Sequence, residues 1–192
     1  MGKKGFFFNQ EDCIGCKTCQ MACKDKNDLP VGMLFRNVRS YEVGDYPDVA
    51  MYHFSATCNH CAKPACVEKC PKGAMYIDKE DGTVQHDDDA CIGCRSCVRN
   101  CPYGVPIFIP ERKITRKCDA CISLRANGEE PACVASCPMR ALQFGEMRDL
   151  VPAHKGSVRD LPIRPDSKIT GACTLIQPKE AALAEGFREV RL

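Results

Sequence analysis

Apolar positions in this chain come in short bursts rather than in long periodic runs. From Gly5 to Gln10 the residues Phe6, Phe7 and Phe8 are apolar on both faces, the pattern of a short buried strand. Val38, Tyr41 and Val43, then Met51, Tyr52 and Phe54, predict two further strands separated by the turn-prone stretch Gly44 to Pro47. Ala74 to Ile77 and Thr83 to Gln85 read as a hairpin turning at Asp81-Gly82. After Phe144 the pattern thins into a tail carrying Pro152, Pro162, Pro165 and Pro178, and Pro178 can open a short helix over 179–184. No apolar run approaches the roughly 18 residues needed to cross a bilayer. The opening MGKKGFFFNQ leads into cysteines rather than resembling a cleavable leader, so neither a span nor an export signal is expected.

Composition changes this picture. The chain has 192 residues, 17 of them cysteine, with 14 glycines, 13 prolines and no tryptophan. Such a length cannot supply a generous apolar core and also scatter so many thiols through it. Sixteen cysteines fall into four tight groups. The first is Cys13, Cys16, Cys19 and Cys23; the second Cys58, Cys61, Cys66 and Cys70; the third Cys91, Cys94, Cys97 and Cys101; the fourth Cys118, Cys121, Cys133 and Cys137. The third group, Cys-x2-Cys-x2-Cys-x3-Cys followed by Pro102, is the ligand run of a bacterial-type 4Fe-4S ferredoxin site. Disulfides at such spacing would be strained, and zinc sites more usually pair two separated Cys-x2-Cys halves. Four 4Fe-4S clusters are therefore expected, with iron bound through these sixteen cysteines and cluster assembly in a reducing cytoplasm.

The formal charge of +2 is too small to suggest nucleic acid as a partner. If each oxidised cluster with its thiolates carries about −2, four would bring the formal +2 to about −6. Lys69, Lys72, Arg95, Arg99, Arg116, Lys117 and Arg140 then stand where compensating charge is wanted. Cys173 is expected to be a packed small residue, and His60, inside the second group, a polar loop residue. His53, His86 and His154 form no constellation. The polar stretch between Cys121 and Cys133, with Arg125, Asn127, Gly128, Glu129 and Glu130, reads as a surface loop inserted into a ligand motif.

An internal repeat is visible. CIGC occurs at Cys13 and Cys91, and PACV at Pro64 and Pro131, so groups one and three match, as do two and four. In two-cluster ferredoxins the fourth cysteine of each run ligates the other cluster. Applied here, Cys58, Cys61 and Cys66 would take Cys101, and Cys91, Cys94 and Cys97 would take Cys70. Groups one and four would then exchange Cys137 and Cys23. Spacing leaves a sequential pairing, one with two and three with four, equally open.

The segments CIGCKTCQMAC, CNHCAKPACVEKCPKGAM, CIGCRSCVRNCPYG, and KCDAC with PACVASCPMRAL, spread over about residues 5–145, resemble the iron–sulfur electron-transfer subunits of the DMSO reductase family of molybdenum and tungsten enzymes. The resemblance implies the nested ligand sharing and a linear wire ordered by group as one, four, three, two. Its Cys13 end would face a molybdopterin catalytic subunit, and the cluster of Cys58, Cys61, Cys66 and Cys101 a membrane quinone-reactive subunit. Relatives of the nitrate reductase type carry tryptophan where this chain has Cys94, so four 4Fe-4S clusters and no 3Fe-4S centre are implied.

The expected fold is α+β: one ferredoxin-like module from 1–55 and 106–146 with an insertion at 24–55, a second nested within it at 56–105, and a loop-rich tail, 147–192, lying along a partner. The chain would be a non-catalytic wire, assembled in the cytoplasm and joined to a membrane-associated complex on either face. A soluble polyferredoxin shuttling electrons between enzymes or to a hydrogenase is the alternative.

Overall fold

The computed structural model describes residues 2–191 and shows a small α+β chain of short helices and small sheets. Its ten strands are β1 (Lys4–Asn9), β2 (Asn37–Val43), β3 (Ala50–Ala56), β4 (Met75–Ile77), β5 (Val84–His86), β6 (Ile107–Ile109), β7 (Ile114–Arg116), β8 (Leu142–Glu146), β9 (Thr174–Gln177) and β10 (Arg188–Val190). Six helices follow the cysteine motifs or lie inside them, except the last: α1 (Thr18–Lys26), α2 (Ala65–Glu68), α3 (Ser96–Asn100), α4 (Ile122–Ala126), α5 (Ala132–Ala135) and α6 (Met147–Ala153). Helices this short are marginal alone, so their stability must come from what they pack on.

The three phenylalanines of β1 are all buried. β1 is the middle strand of the sheet β8-β1-β9, antiparallel to β8 and parallel to β9. Phe7 packs with Met147 and Leu150 of α6, while Phe6 and Phe8, on the alternate face, join the main core. Phe6 meets Phe144 with ring centroids 4.8 Å apart, Phe7 stacks on His154 at 3.5 Å, and Phe8 meets the edge of Phe54 at 6.0 Å. Burying each such ring contributes about 1.5–3 kcal/mol. The predicted strands at 37–43 and 50–56 pair as an antiparallel hairpin, with Tyr41 opposite Tyr52. They are not a satellite, because Leu29, Phe35, Val38 and Tyr52 share one core with Phe6, Phe8, Cys19, Cys23, Cys118 and Cys133. The hairpin expected at Asp81-Gly82 is β4-β5, and β6-β7 is a second small hairpin.

Two expectations change on folding. The polar stretch after Cys121 is exposed from Ala126 to Glu130, yet Arg125 folds inward, with an ion pair to buried Asp81 and its Nε donating to the Ala120 carbonyl at 2.7 Å. A charge-assisted hydrogen bond to a carboxylate held away from water offsets the solvation that Arg125 gives up. The tail, in turn, satisfies its backbone within the molecule: β9 pairs with β1, β10 pairs with β2, and the helix expected after Pro178 is a 3₁₀ turn, Glu180–Leu183.

The parallel pairing of β1 and β9 depends on Gly5, where an added Cβ would stand 2.1 Å from the Cys173 carbonyl oxygen. Gly5→Ala is expected to cost roughly 1–3 kcal/mol by overpacking, read as a lower unfolding midpoint and as faster proteolysis of the segment after Pro165.

Candidate metal centres

Ligand loops must bring several sulfurs round one point, which requires sharp reversals of the backbone. Residues in the left-handed region supply them. Gly15 and Lys17 have φ of 69° and 62°, and the matching pair in the third group, Gly93 and Arg95, 66° and 59°. In groups two and four the residue before the second cysteine does the same, His60 at 42° and Ala120 at 55°. The sequence repeat is thus a repeat of backbone conformation. Each chain reversal launches or precedes a short helix, and these helices pack in two pairs, α1 against α5 and α2 against α3.

The cysteines consequently surround voids. One is lined by Cys13, Cys16, Cys19 and Cys137, one by Cys58, Cys61, Cys66 and Cys101, and one by Cys70, Cys91, Cys94 and Cys97. The remaining four gather as well. Burial pushes the Cys23 thiol far up, and the thiols of Cys118, Cys133 and Cys121 add to the shift. Among the described residues no three His, Cys, Asp or Glu side chains converge closely enough to hold a single metal ion. Four soft sulfurs spread round a space suit a polynuclear iron–sulfur group, not zinc.

Most of these thiols are buried, and burial raises them: Cys66 is pushed up to about 12, Cys61 and Cys121 to about 11. A buried thiol becomes a thiolate only beside positive charge, which bound iron would supply. Local donors already face several sulfurs. Thr18 Oγ1 donates to Cys16 Sγ at 3.3 Å and Thr170 Oγ1 to Cys61 Sγ at 3.0 Å, while the Ala120 N–H donates to Cys118 Sγ at 3.3 Å. Thr170 arrives from the tail, whose Gly171 carbonyl accepts from the Ala62 N–H at 2.8 Å. The tail therefore closes over the second group.

Of the seven basic residues expected to compensate charge, only Lys117 is buried; its ammonium donates to the Cys118 carbonyl at 2.9 Å and to that of Val84. Arg95 is exposed and lies over the Phe108 ring at 3.8 Å, and Lys69 pairs with exposed Glu68. Two cations missed in the sequence are Lys3, which donates to the Cys61 carbonyl at 3.1 Å, and the fully buried Arg36. Arg36 could have been found, because it shares the inward phase of Val38 and Ser40 while Arg39 points out. Cys173 is packed as expected, with Phe7, Met147, Leu150 and Leu175.

His60 is no loop residue on the surface. It is wholly buried, its Nδ1 accepts from the Val84 N–H at 3.0 Å, and its Nε2 lies 3.9 Å from Cys118 Sγ. Burial, with Lys117, Lys3 and Arg125 nearby, holds its pKa well below the usual imidazole range.

The implied wire order is also corrected. The fourth group lies next to the second: Cys58 is the thiol whose charge acts most on Cys118, and Lys117 lines the void of Cys58 and Cys66. The third group lies beyond, its Cys97 packed with Cys66, Met75 and Val84. At the other end Cys19 faces Cys133 and Cys137. The groups thus run one, four, two, three, and the exposed thiols, Cys16 and Cys94, belong to the two ends.

Cysteines in fours round voids on a ferredoxin-like scaffold define an iron–sulfur protein that carries electrons. A family model described as a 4Fe-4S dicluster domain matches residues 49–147, and a 4Fe-4S binding domain matches residues 4–25. The chain is 43% identical over 182 residues to the probable anaerobic dimethyl sulfoxide reductase chain YnfG of Escherichia coli K12, covering 91% of this chain and 88% of that one. It is 42% identical to the B subunit of anaerobic dimethyl sulfoxide reductase from the same organism, with the same coverage. To the corresponding B subunit of Haemophilus influenzae it is 37% identical over 97% and 94% of the two chains. It belongs to the family of anaerobic dimethyl sulfoxide reductase iron–sulfur subunits.

Because the His60 pKa is lowered by folding, the unfolded state takes up its proton more readily. Stability from this residue is fully present above about pH 6.5 and is lost as pH falls below it, by at most ~1.4 kcal/mol per unit. His60→Gln, which can still accept from Val84, is expected to flatten the fall in unfolding midpoint between pH 7 and pH 5.

Proposed function

We propose that this chain is a non-catalytic electron wire carrying four 4Fe-4S clusters within a dimethyl sulfoxide reductase-like complex. The assignment is nested. Cys13, Cys16, Cys19 and Cys137 would hold the first cluster; Cys23, Cys118, Cys121 and Cys133 the second; Cys58, Cys61, Cys66 and Cys101 the third; Cys70, Cys91, Cys94 and Cys97 the fourth. One observation carries it: three voids each combine three cysteines of one group with the last cysteine of another. A sequential pairing would put Cys70 with Cys13 and Cys23 with Cys58, which the linings do not favour. The pairing of α1 with α5 and of α2 with α3 supports two modules, residues 1–55 with 106–146 and residues 56–105.

When bound, each cluster takes up and releases one electron at a time. The chain's own residues set where that happens. Of the sixteen thiols only Cys16 and Cys94 are exposed; the others lie in the interior or are partly covered. Thr18, Thr170 and backbone N–H groups offer donors to sulfur. The tail loop at Thr170–Gly171 keeps water from the interior group, and Cys16 and Cys94 leave both ends open to partners. We assign the Cys13–Cys16 end to a molybdopterin-containing catalytic subunit and the Cys94 end to a membrane quinone-reactive subunit. The apolar side chains beside these thiols support a partner at each end, with Ile14 59% exposed at one and Ile92 58% at the other. No helix among the described residues is long and apolar enough to cross a membrane, so contact with a bilayer would come through that subunit.

An anaerobically purified complex is expected to be brown and to contain about sixteen irons assignable to this chain. Iron that elutes with the isolated 21.2 kDa chain instead would favour a free shuttle. Cys137→Ser should damage the cluster of Cys13, Cys16 and Cys19, seen as loss of one electron paramagnetic resonance signal; loss confined to the cluster of Cys118 and Cys121 would reject the nested assignment.

A further inference from the structure

Arg36 precedes β2 and is 1% exposed, the largest fully buried side chain among the described residues. A guanidinium cannot shed its charge to suit an apolar interior, so it must lie where negative charge is concentrated. Among the described residues no carboxylate pairs with it. Its Nη1 donates to Ser55 Oγ at 2.9 Å and to the Ser55 carbonyl at 3.2 Å, and Ser55 Oγ in turn lies 3.5 Å from Cys19 Sγ. Its Cζ sits 4.8 Å from the centre of the Phe6 ring, which blocks water on that side. Nε and Nη2 are buried and find no oxygen or nitrogen partner. Burial alone would lower the guanidinium pKa, yet the thiols of Cys133, Cys19, Cys118 and Cys23 together hold it raised. Those four cysteines come from groups one and four only. Arg36 therefore stands at the junction of two sites, with two N–H-bearing nitrogens unpartnered and Cys133 the thiol that acts on it most.

We infer that Arg36 is a positioning residue for electron transfer: it holds a fixed positive charge between the first and second clusters and raises the reduction potential of both relative to the third and fourth. The inference rests on the ligand assignment proposed above. The physical reason is direct. Each electron added to a cluster adds one negative charge, and a cation that water does not screen stabilises the reduced form more than the oxidised one. Hydrogen bonds from guanidinium N–H groups to ligand sulfur act in the same sense. Arg36 would thereby favour residence of the electron at the catalytic end of the wire, without itself gaining or losing a proton or an electron.

The test is a redox titration of the four clusters by electron paramagnetic resonance in the purified complex, for the unaltered chain, Arg36→Gln and Arg36→Lys, with iron determined on the same samples. The first two clusters are identified as those whose signals are altered in Cys137→Ser and Cys133→Ser. In Arg36→Gln the midpoint potentials of these two are expected to fall while the other two stay, and Arg36→Lys should recover most of the fall. Four unchanged potentials, or four that move together, would overturn the inference. Should Arg36→Gln lose iron, Ser55→Ala is titrated in its place. That variant releases Nη1 but also removes the hydroxyl beside Cys19, so the readout is the second cluster: its potential should shift while the third and fourth stay, and an unchanged second potential counts against Arg36. An iron content in the unaltered chain far below sixteen would instead defeat the cluster assignment and leave the two failures distinct.

Discussion

Negative charge in a small volume is the constraint on which this structure depends. Sixteen cysteines stand in four sets within a chain too short to surround each set with its own apolar core, and most of the thiols lie inside. Burial makes thiolates costly, as the raised thiols of Cys61, Cys66 and Cys121 show. On the proposed assignment, iron and inorganic sulfide fill the spaces between them, and the protein supplies what remains: hydroxyl and amide donors to sulfur and a few cations held away from water. Lys117 and Arg36 are the clearest of these, since both are buried and donate to backbone carbonyls beside the cysteine groups.

The scaffold is arranged to keep those sets in line. Left-handed residues at matching places in the repeat reverse the chain so that each motif closes on itself. Cys70, Cys101 and Cys137, each the last of its motif, line voids together with three cysteines of another group. β1 ties distant segments together, because it is paired with β8 along one edge and with the tail strand β9 along the other. The tail does more than decorate the surface. It seals the second group with Thr170 and completes the sheet that carries the first group, so its loss would open the interior of the wire at two places.

Much of this was legible in the sequence. The triple phenylalanine, the hairpin at Asp81-Gly82 and the strands around Tyr41 and Tyr52 declare themselves by local pattern, because neighbours a few residues apart determine them. The sixteen cysteines and their grouping are likewise local, since a ligand loop is a short backbone motif and cannot be disguised. The family resemblance rests on the same residues and holds, although the order of groups that it implies does not.

What only the tertiary structure decided are relations between distant segments. Which groups lie side by side could not follow from spacing, since both pairings satisfy the same loop lengths; the packing of α1 on α5 and of α2 on α3 brings groups one and four together, and groups two and three. The adjacency of Cys118 and Cys58 depends on packing between distant segments, not on any run of residues. His60 and Arg125 looked like solvated loop residues because a polar side chain announces nothing about its partners until Val84, Asp81 and Cys118 arrive beside it. Sequence determined the cysteine groups because a ligand loop is a short motif; structure decided how the groups lie relative to one another because electrostatics and packing act through space, across separations along the chain that local pattern does not record.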